Sequence, residues 1–129
     1  MSTGGEIVVR QLEEIGIRLA YGIPAVHNLP IYDALYGSRR IRNVLVRHEQ
    51  GAGFMAIGSA YASGEPAACV VGCGPGATNM ATPVAEAYLD SIPMLVVAGG
   101  IGPLRAGREP CTTSINCRSS SRLPSRGGG

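Results

Sequence analysis

Lysine and tryptophan are absent from this 129-residue sequence, and phenylalanine occurs once. Without lysine the sequence cannot contain the G-x-x-x-x-G-K-[ST] loop that binds nucleotide phosphates. No apolar run approaches the roughly 20 residues that a membrane helix needs. The N-terminal stretch also lacks the basic-then-apolar order of a secretory signal. We therefore expect a globular, cytoplasmic protein with no membrane partner.

The charge is unevenly divided along the chain. Residues 1–101 hold six arginines and eight acidic residues, whereas residues 102–129 hold five arginines and one glutamate. The basic excess therefore belongs to the C-terminal stretch, where the arginines are dispersed and no aromatic side chains lie between them. This is a weak pattern for nucleic-acid binding, so we expect no nucleic-acid partner.

The four cysteines and two histidines do not indicate a metal site, because neither pair of cysteines has the spacing of zinc ligands. Cys69 lies in an apolar run and is predicted to be a core residue. No Ser/His/Asp or Cys/His catalytic arrangement can be recognised from spacing, because such groups meet in space and not in sequence.

The apolar pattern predicts four helix–strand pairs joined by short loops. The predicted helices cover residues 5–16, 28–36, 51–62 and 77–90, and the predicted strands cover residues 17–21, 44–46, 67–71 and 94–98. Asn28 is expected to cap the second helix. Alternation of this kind predicts an α/β fold with an open parallel sheet and helices on both faces.

Glu49 stands between the second predicted strand, which we expect to be buried, and a helix rich in glycine and alanine. Open α/β sheets bind their ligands at the carboxyl ends of the strands, so a carboxylate at this junction is a candidate functional group. An acidic residue in the first turn also favours a helix through the helix dipole. Position alone leaves both interpretations open.

The loop at residues 72–77 fits the pattern G-x-G-x-x-A, which between a strand and a helix can bind a dinucleotide. The acidic residue expected some 20 positions further on is absent, because A-G-G occupies residues 98–100. A glycine-rich turn that permits tight packing of strand and helix explains the loop equally well.

Five segments, taken in order, resemble one known family. They are Y-G-I-P-A at residues 21–25, V-H-N-L-P at 26–30, R-H-E-Q-G-A at 47–52, G-P-G-A-T-N at 74–79 and D-S-I-P-M at 90–94. The sequence resembles the N-terminal pyrimidine-binding domain of the thiamine diphosphate enzymes in the acetolactate synthase and benzoylformate decarboxylase group. The resemblance extends from residue 4 to about residue 108.

This resemblance implies that the domain binds the aminopyrimidine ring of thiamine diphosphate across a dimer interface with the pyrophosphate-binding domain of a second subunit. Glu49 matches the glutamate of the family whose carboxyl group hydrogen-bonds to N1′ of the ring. Protonation at N1′ favours the imino tautomer, which removes the thiazolium C2 proton, and the resulting ylide attacks a 2-oxo acid. The full-length protein is expected to be a homo-oligomer.

The same resemblance assigns cofactor binding to seven residues. They are Pro24, Ala25, Glu49, Cys73, Pro75, Gly76 and Asn79. Ala25 stands where the family usually has glycine. The Gly-Asp-Gly motif and downstream asparagine that hold magnesium and the diphosphate in the family belong to a later domain, which this sequence lacks.

We therefore expect a fragment of a 2-oxo acid decarboxylase or carboligase that is inactive alone. One alternative is a non-catalytic dimerisation or regulatory module with the same fold. A dinucleotide-binding domain is the less favoured alternative.

Residues 1–108 are predicted to form this domain, incomplete at its C-terminal end, and residues 109–129 to form a disordered tail. One choice of codons for residues 109–124, read from the third base, translates to A-L-H-D-I-N-Q-L-Q-V-V-K-P-L-T, which is a family-like continuation. This coincidence predicts that the tail is an out-of-frame product. The alternative is an ordinary disordered extension.

Overall fold

A computed structural model describes residues 2–100 of the chain. Five helices lie in this range: α1 (Gly4–Glu14), α2 (Leu29–Gly37), α3 (Glu49–Ser63), α4 (Pro75–Thr78) and α5 (Ala81–Leu89). Four strands alternate with them: β1 (Leu19–Gly22), β2 (Arg42–Leu45), β3 (Ala67–Val71) and β4 (Met94–Ala98). The predicted tail and the domain boundary at residue 108 lie outside the described residues.

The four strands form one parallel sheet in the order β2-β1-β3-β4. The chain therefore moves outward from β1 to β2 and then returns past β1 to β3. The predicted parallel α/β sheet is confirmed. Between β1 and β3 the direction of winding reverses, which in open sheets leaves a crevice at the carboxyl ends of the strands.

Helices cover both faces of the sheet, as predicted. The α1 and α2 side packs Val9, Leu12, Tyr32 and Leu35 against Ala20, Ala68 and Val70. The α3 and α5 side packs Ala52, Ala56 and Val84, together with Met80, against Tyr21, Cys69 and Val71. All five residues of β3 are buried, as is typical of a central parallel strand.

Helix α3 packs through small residues. Ala52, Ala56 and Ala60 are buried, and a Cβ atom at Gly53 would overlap the ring of Pro83 in α5. These small residues allow α5 to approach α3 closely. The helix begins at Glu49, two residues before the predicted start, because Nδ1 of His48 caps it by accepting a hydrogen bond of 3.1 Å from the Gln50 amide.

Two predictions about the elements were wrong. Strand β2 lies at an edge of the described sheet, and Leu45 is 64% exposed, so the strand is not buried. The helix predicted over residues 77–90 is divided into α4 and α5. Pro83 explains the division, because in one continuous helix its ring would clash with the carbonyl of Asn79, whereas the first turn of α5 accommodates it.

Burial also affects the thiol of Cys69. The residue is fully enclosed in β3, which confirms the prediction of a core cysteine. Burial raises the pKa of this thiol from 9.0 to about 12. Each helix within residues 2–100 is too short or too polar to cross a membrane.

The close approach at Gly53 predicts that Gly53→Ala destabilises the fold. The added methyl group meets Pro83 in the packed contact between α3 and α5, so the free energy of unfolding should fall by about 1–3 kcal/mol in urea denaturation. Gly58→Ala is the matched control, because a Cβ atom there meets nothing within 4 Å. It should raise the free energy of unfolding by roughly 0.5–1 kcal/mol. Equal effects of the two changes would contradict the packing described here.

The raised pKa of Cys69 predicts a loss of stability in alkaline solution. The thiol ionises at lower pH in the unfolded chain than in the folded one, so its contribution is complete below about pH 9 and declines as the pH rises toward 12. Between pH 8 and pH 10 the parent chain should lose about 1 kcal/mol more than Cys69→Ala. Urea denaturation at both pH values measures this difference. Identical losses in the two proteins would contradict the prediction.

Candidate functional site

The crevice between the carboxyl ends of β1 and β3 is the candidate site. The loop after β1 (residues 23–28) and the loop after β3 (residues 72–74) meet there. Helix α3 begins at Glu49, close after the end of β2. Parallel pairing therefore brings three connections, which are far apart in sequence, to one edge of the sheet, where such folds bind ligands.

Asn28 holds the loop after β1 in place. Its side chain is fully buried, its Oδ1 accepts a hydrogen bond of 2.6 Å from the Ala25 amide, and its Nδ2 donates one of 3.2 Å to the Ile23 carbonyl. The residue occupies the N-cap position of α2, as predicted, but its side chain makes no capping hydrogen bond. It shapes the loop instead.

Glu49 lies against α4. Its Oε2 accepts a hydrogen bond of 2.9 Å from Nδ2 of Asn79, and its side chain is half-buried. A Cβ atom at Gly76 would lie 3.3 Å from Oε1. The structure therefore brings together Glu49, Gly76 and Asn79, three of the residues predicted from the sequence.

The loop after β3 adjoins the loop after β1. A Cβ atom at Gly72 would lie 3.0 Å from the Cβ atom of Ala25. Gly74 has a φ angle of 61°, a left-handed conformation that suits glycine and turns the chain into α4. Cys73 and Ala25 are thereby placed on neighbouring loops. Pro24 and Pro75 are exposed at the same edge of the sheet.

Sequence reasoning missed a contact between Cys73 and His27. Cys73 Sγ lies 3.2 Å from His27 Nδ1. The two residues are 46 positions apart, and each appeared isolated in the sequence. Only the pairing of β1 with β3 reveals them as neighbours.

Tyr32 was also missed. Its hydroxyl group donates a hydrogen bond of 2.9 Å to the carbonyl of Val70, which joins α2 to the end of β3 just beneath the site. Burial raises the pKa of this phenol, and electrostatic interaction with Cys69, once that thiol ionises, and with the Glu49 carboxylate raises it further. Tyr32 therefore remains a neutral hydrogen-bond donor near the carboxyl edge.

The site contains one carboxyl group with a fixed orientation. Within residues 2–100 there is no group of three or more His, Cys, Asp and Glu side chains that could hold a metal ion. A half-buried carboxyl group with one oxygen held by an amide can exchange a proton with a nitrogen base through its other oxygen.

Comparison with known proteins identifies the family. Residues 2–116 match the family described as thiamine pyrophosphate enzyme, N-terminal TPP binding domain. The chain belongs to this thiamine pyrophosphate enzyme family. The resemblance drawn from the five sequence segments is therefore confirmed.

Several curated relatives are about half identical to the chain over the matched residues. Acetolactate synthase isozyme 1 large subunit of Escherichia coli is 52% identical over 107 residues, which is 83% of this chain and 19% of the relative. Acetolactate synthase of Mycobacterium avium is 48% identical over 107 residues, covering 83% of this chain and 17% of the relative. The probable 2-ketoarginine decarboxylase AruI of Pseudomonas aeruginosa is 53% identical over 96 residues, covering 74% and 17%. The chain thus spans less than a fifth of the length of these relatives.

The two hydrogen bonds of Asn28 predict that this residue stabilises the fold. Asn28→Ala removes both hydrogen bonds of a fully buried side chain, and the free energy of unfolding should fall by about 1–3 kcal/mol. Asn43→Ala provides the comparison, because Oδ1 of Asn43 is buried without a hydrogen-bond partner in the part of the chain described here. Asn43→Ala should lower the free energy of unfolding clearly less than Asn28→Ala in the same urea titration. A larger cost for Asn43→Ala would contradict the assignment of Asn28 as the residue that holds the loop.

Proposed function

We propose that this chain supplies the pyrimidine-binding half of a thiamine diphosphate site in an acetolactate synthase-like enzyme that acts on a 2-oxo acid. We further propose that Glu49 activates the aminopyrimidine of the cofactor. The observation that carries the proposal is the hydrogen bond of 2.9 Å between Asn79 and Glu49, which fixes a half-buried carboxyl group beside the crevice of the sheet. Membership of the thiamine pyrophosphate enzyme family supports the choice of cofactor.

The residues around Glu49 fit an aminopyrimidine. Asn79 holds Oε2, and this is the one hydrogen bond that residues 2–100 provide to the carboxyl group. A Cβ atom at Gly76 would lie only 3.3 Å from Oε1 and would crowd it, but glycine has no such atom. Oε1 therefore remains available to share a proton with a ring nitrogen.

The proposed role of the chain is to position the aminopyrimidine ring of the cofactor and to protonate it. When bound, thiamine diphosphate supplies the carbanion chemistry that cleaves or forms the bond next to a carbonyl group. Glu49 would hold the shared proton at Oε1, and Asn79 would act as a positioning residue by fixing Oε2. Ala25 and the backbone at Gly72 would form a close-packed wall of the crevice, beside Cys73. Pro24 and Pro75 would contact the ring or its surroundings from the rim.

We propose that the other half of the site comes from a second subunit in a homo-oligomer. Its pyrophosphate-binding domain would hold magnesium and the diphosphate, so this chain alone would be inactive. The match covers 19% of the Escherichia coli subunit, so that relative is long enough to hold such a domain outside the matched segment. Phe54 and Met55, on the turn of α3 that follows Glu49, are 44% and 46% exposed and would contribute apolar contacts to a partner.

A chimeric enzyme tests this proposal. The matching segment of the Escherichia coli acetolactate synthase subunit is replaced by this chain's 107 matched residues. Deuterium exchange at C2 of the bound cofactor and formation of acetolactate are then measured. Glu49→Gln in the chimera should lower both rates by about 10²–10⁴-fold, because the amide cannot exchange the proton.

Glu65→Gln is the matched control for this experiment. Glu65 forms an exposed ion pair of 3.1 Å with Arg18, away from the crevice. Its replacement should change both rates by less than about twofold, as expected for a surface pair. Normal C2 exchange in the Glu49→Gln chimera would exclude the proposed role of Glu49. A folded chimera that binds the cofactor without C2 exchange would favour a non-catalytic module.

A further inference from the structure

Cys73 and His27 form a thiol–imidazole contact at the edge of the crevice. Cys73 Sγ lies 3.2 Å from Nδ1 of His27, which is hydrogen-bonding distance for sulfur. His27 is exposed and Cys73 is half-exposed, so the contact lies at the surface of the described residues. The pair joins the loop after β1 to the loop after β3.

The backbone on both sides holds this pair in place. On one side, Asn28 anchors the first loop and Ala25 packs against Gly72. On the other side, Gly99 lies directly on His27, because a Cβ atom at Gly99 would be 2.8 Å from the His27 carbonyl. The Gly99 amide also donates a hydrogen bond of 2.9 Å to the Val71 carbonyl. The contact therefore results from packed neighbours and is not a chance approach of two free side chains.

We infer that His27 activates Cys73 and makes this thiol a modification site for soft electrophiles, such as peroxides and haloacetamides. Reactive cysteines in proteins lie in partly exposed places beside a histidine or another cationic group, whereas buried cysteines are inert. Cys73 has the first environment. Cys69 has the second, since it is fully buried and burial raises its pKa to about 12. The chain thus contains both kinds of cysteine four residues apart.

The chemical step balances without any further reactant. Nδ1 of His27 takes the thiol proton, which leaves a thiolate at Cys73 Sγ. With iodoacetamide the thiolate forms a carbon–sulfur bond as iodide leaves. With hydrogen peroxide the thiolate attacks one oxygen, the O–O bond breaks, and the imidazolium returns its proton so that water leaves. The product is then a sulfenic acid, the first oxidised state of cysteine.

Modification would change the crevice itself. An added oxygen or carboxamidomethyl group on Sγ must lie between the two loops that form the crevice. Reactivity at Cys73 does not depend on the proposed function, because it requires only the contact with His27. Loss of ligand binding after modification would depend on the proposed function as well, whereas the rate of alkylation at Cys73 does not.

Site-resolved alkylation of the full chain tests the inference. The reduced protein is treated with iodoacetamide near neutral pH, and tandem mass spectrometry follows each cysteine separately. Cys73 should react roughly fivefold faster in the parent chain than in His27→Gln, because His27 increases the fraction of thiolate. The increase is modest because a thiolate of lower pKa is also a weaker nucleophile. Cys69 should stay unmodified in both proteins, which also shows that the fold is intact.

Two controls complete the experiment. His48→Gln changes the other histidine, whose ring accepts a hydrogen bond from the Gln50 amide, and should leave the rate at Cys73 unchanged. The parent chain unfolded in urea should react at Cys73 more slowly than the folded chain does. Equal rates in the parent and His27→Gln would overturn the inference. So would an equal loss of rate in His48→Gln, or a faster reaction at Cys73 in urea.

Discussion

The parallel pairing of β1 with β3 is the constraint on which the site depends. Tyr21 pairs with Cys69 and Gly22 with Val70, which places the ends of the two strands side by side. The hydroxyl group of Tyr32 completes this junction by bonding to the Val70 carbonyl. Because winding reverses between these two strands, the helices that follow them pack on opposite faces of the sheet, whereas the two loops meet at its carboxyl edge.

The crevice is formed largely by residues with little or no side chain. Ala25 packs on Gly72, and Gly76 lies beneath the carboxyl group of Glu49. Glycine loses more conformational freedom on folding than any other residue, so these positions weaken the fold for the sake of close approach. The buried side chain of Asn28 offsets part of this loss through its two hydrogen bonds to the loop. A rigid, close-packed edge can therefore orient the one carboxyl group that the proposed chemistry needs.

In the proposed function, the pyrimidine and the magnesium diphosphate are bound by different domains because they need different donor groups. A carboxyl group held by an amide suits a nitrogen heterocycle, whereas magnesium and a diphosphate need several oxygen donors around one ion. Glu49 and Asn79 provide the first arrangement. The proposed function therefore assigns magnesium and the diphosphate to another domain, and this chain spans 17–19% of the length of the two acetolactate synthase relatives. The contact between Cys73 and His27 adds a second kind of chemistry to the same edge.

The sequence by itself determined the fold class and the bounds of β3 and β4, because apolar runs between glycine and proline are local signals. The family was indicated by the resemblance of five short segments to a known family. The sequence also placed Glu49 at the junction between a strand and a helix. Only the tertiary structure decided that β2 is an edge strand, that Asn79 holds Glu49, and that Cys73 meets His27. These contacts join residues 30 and 46 positions apart. Their distances depend on strand order and on the close approach of backbones, which local propensity does not specify.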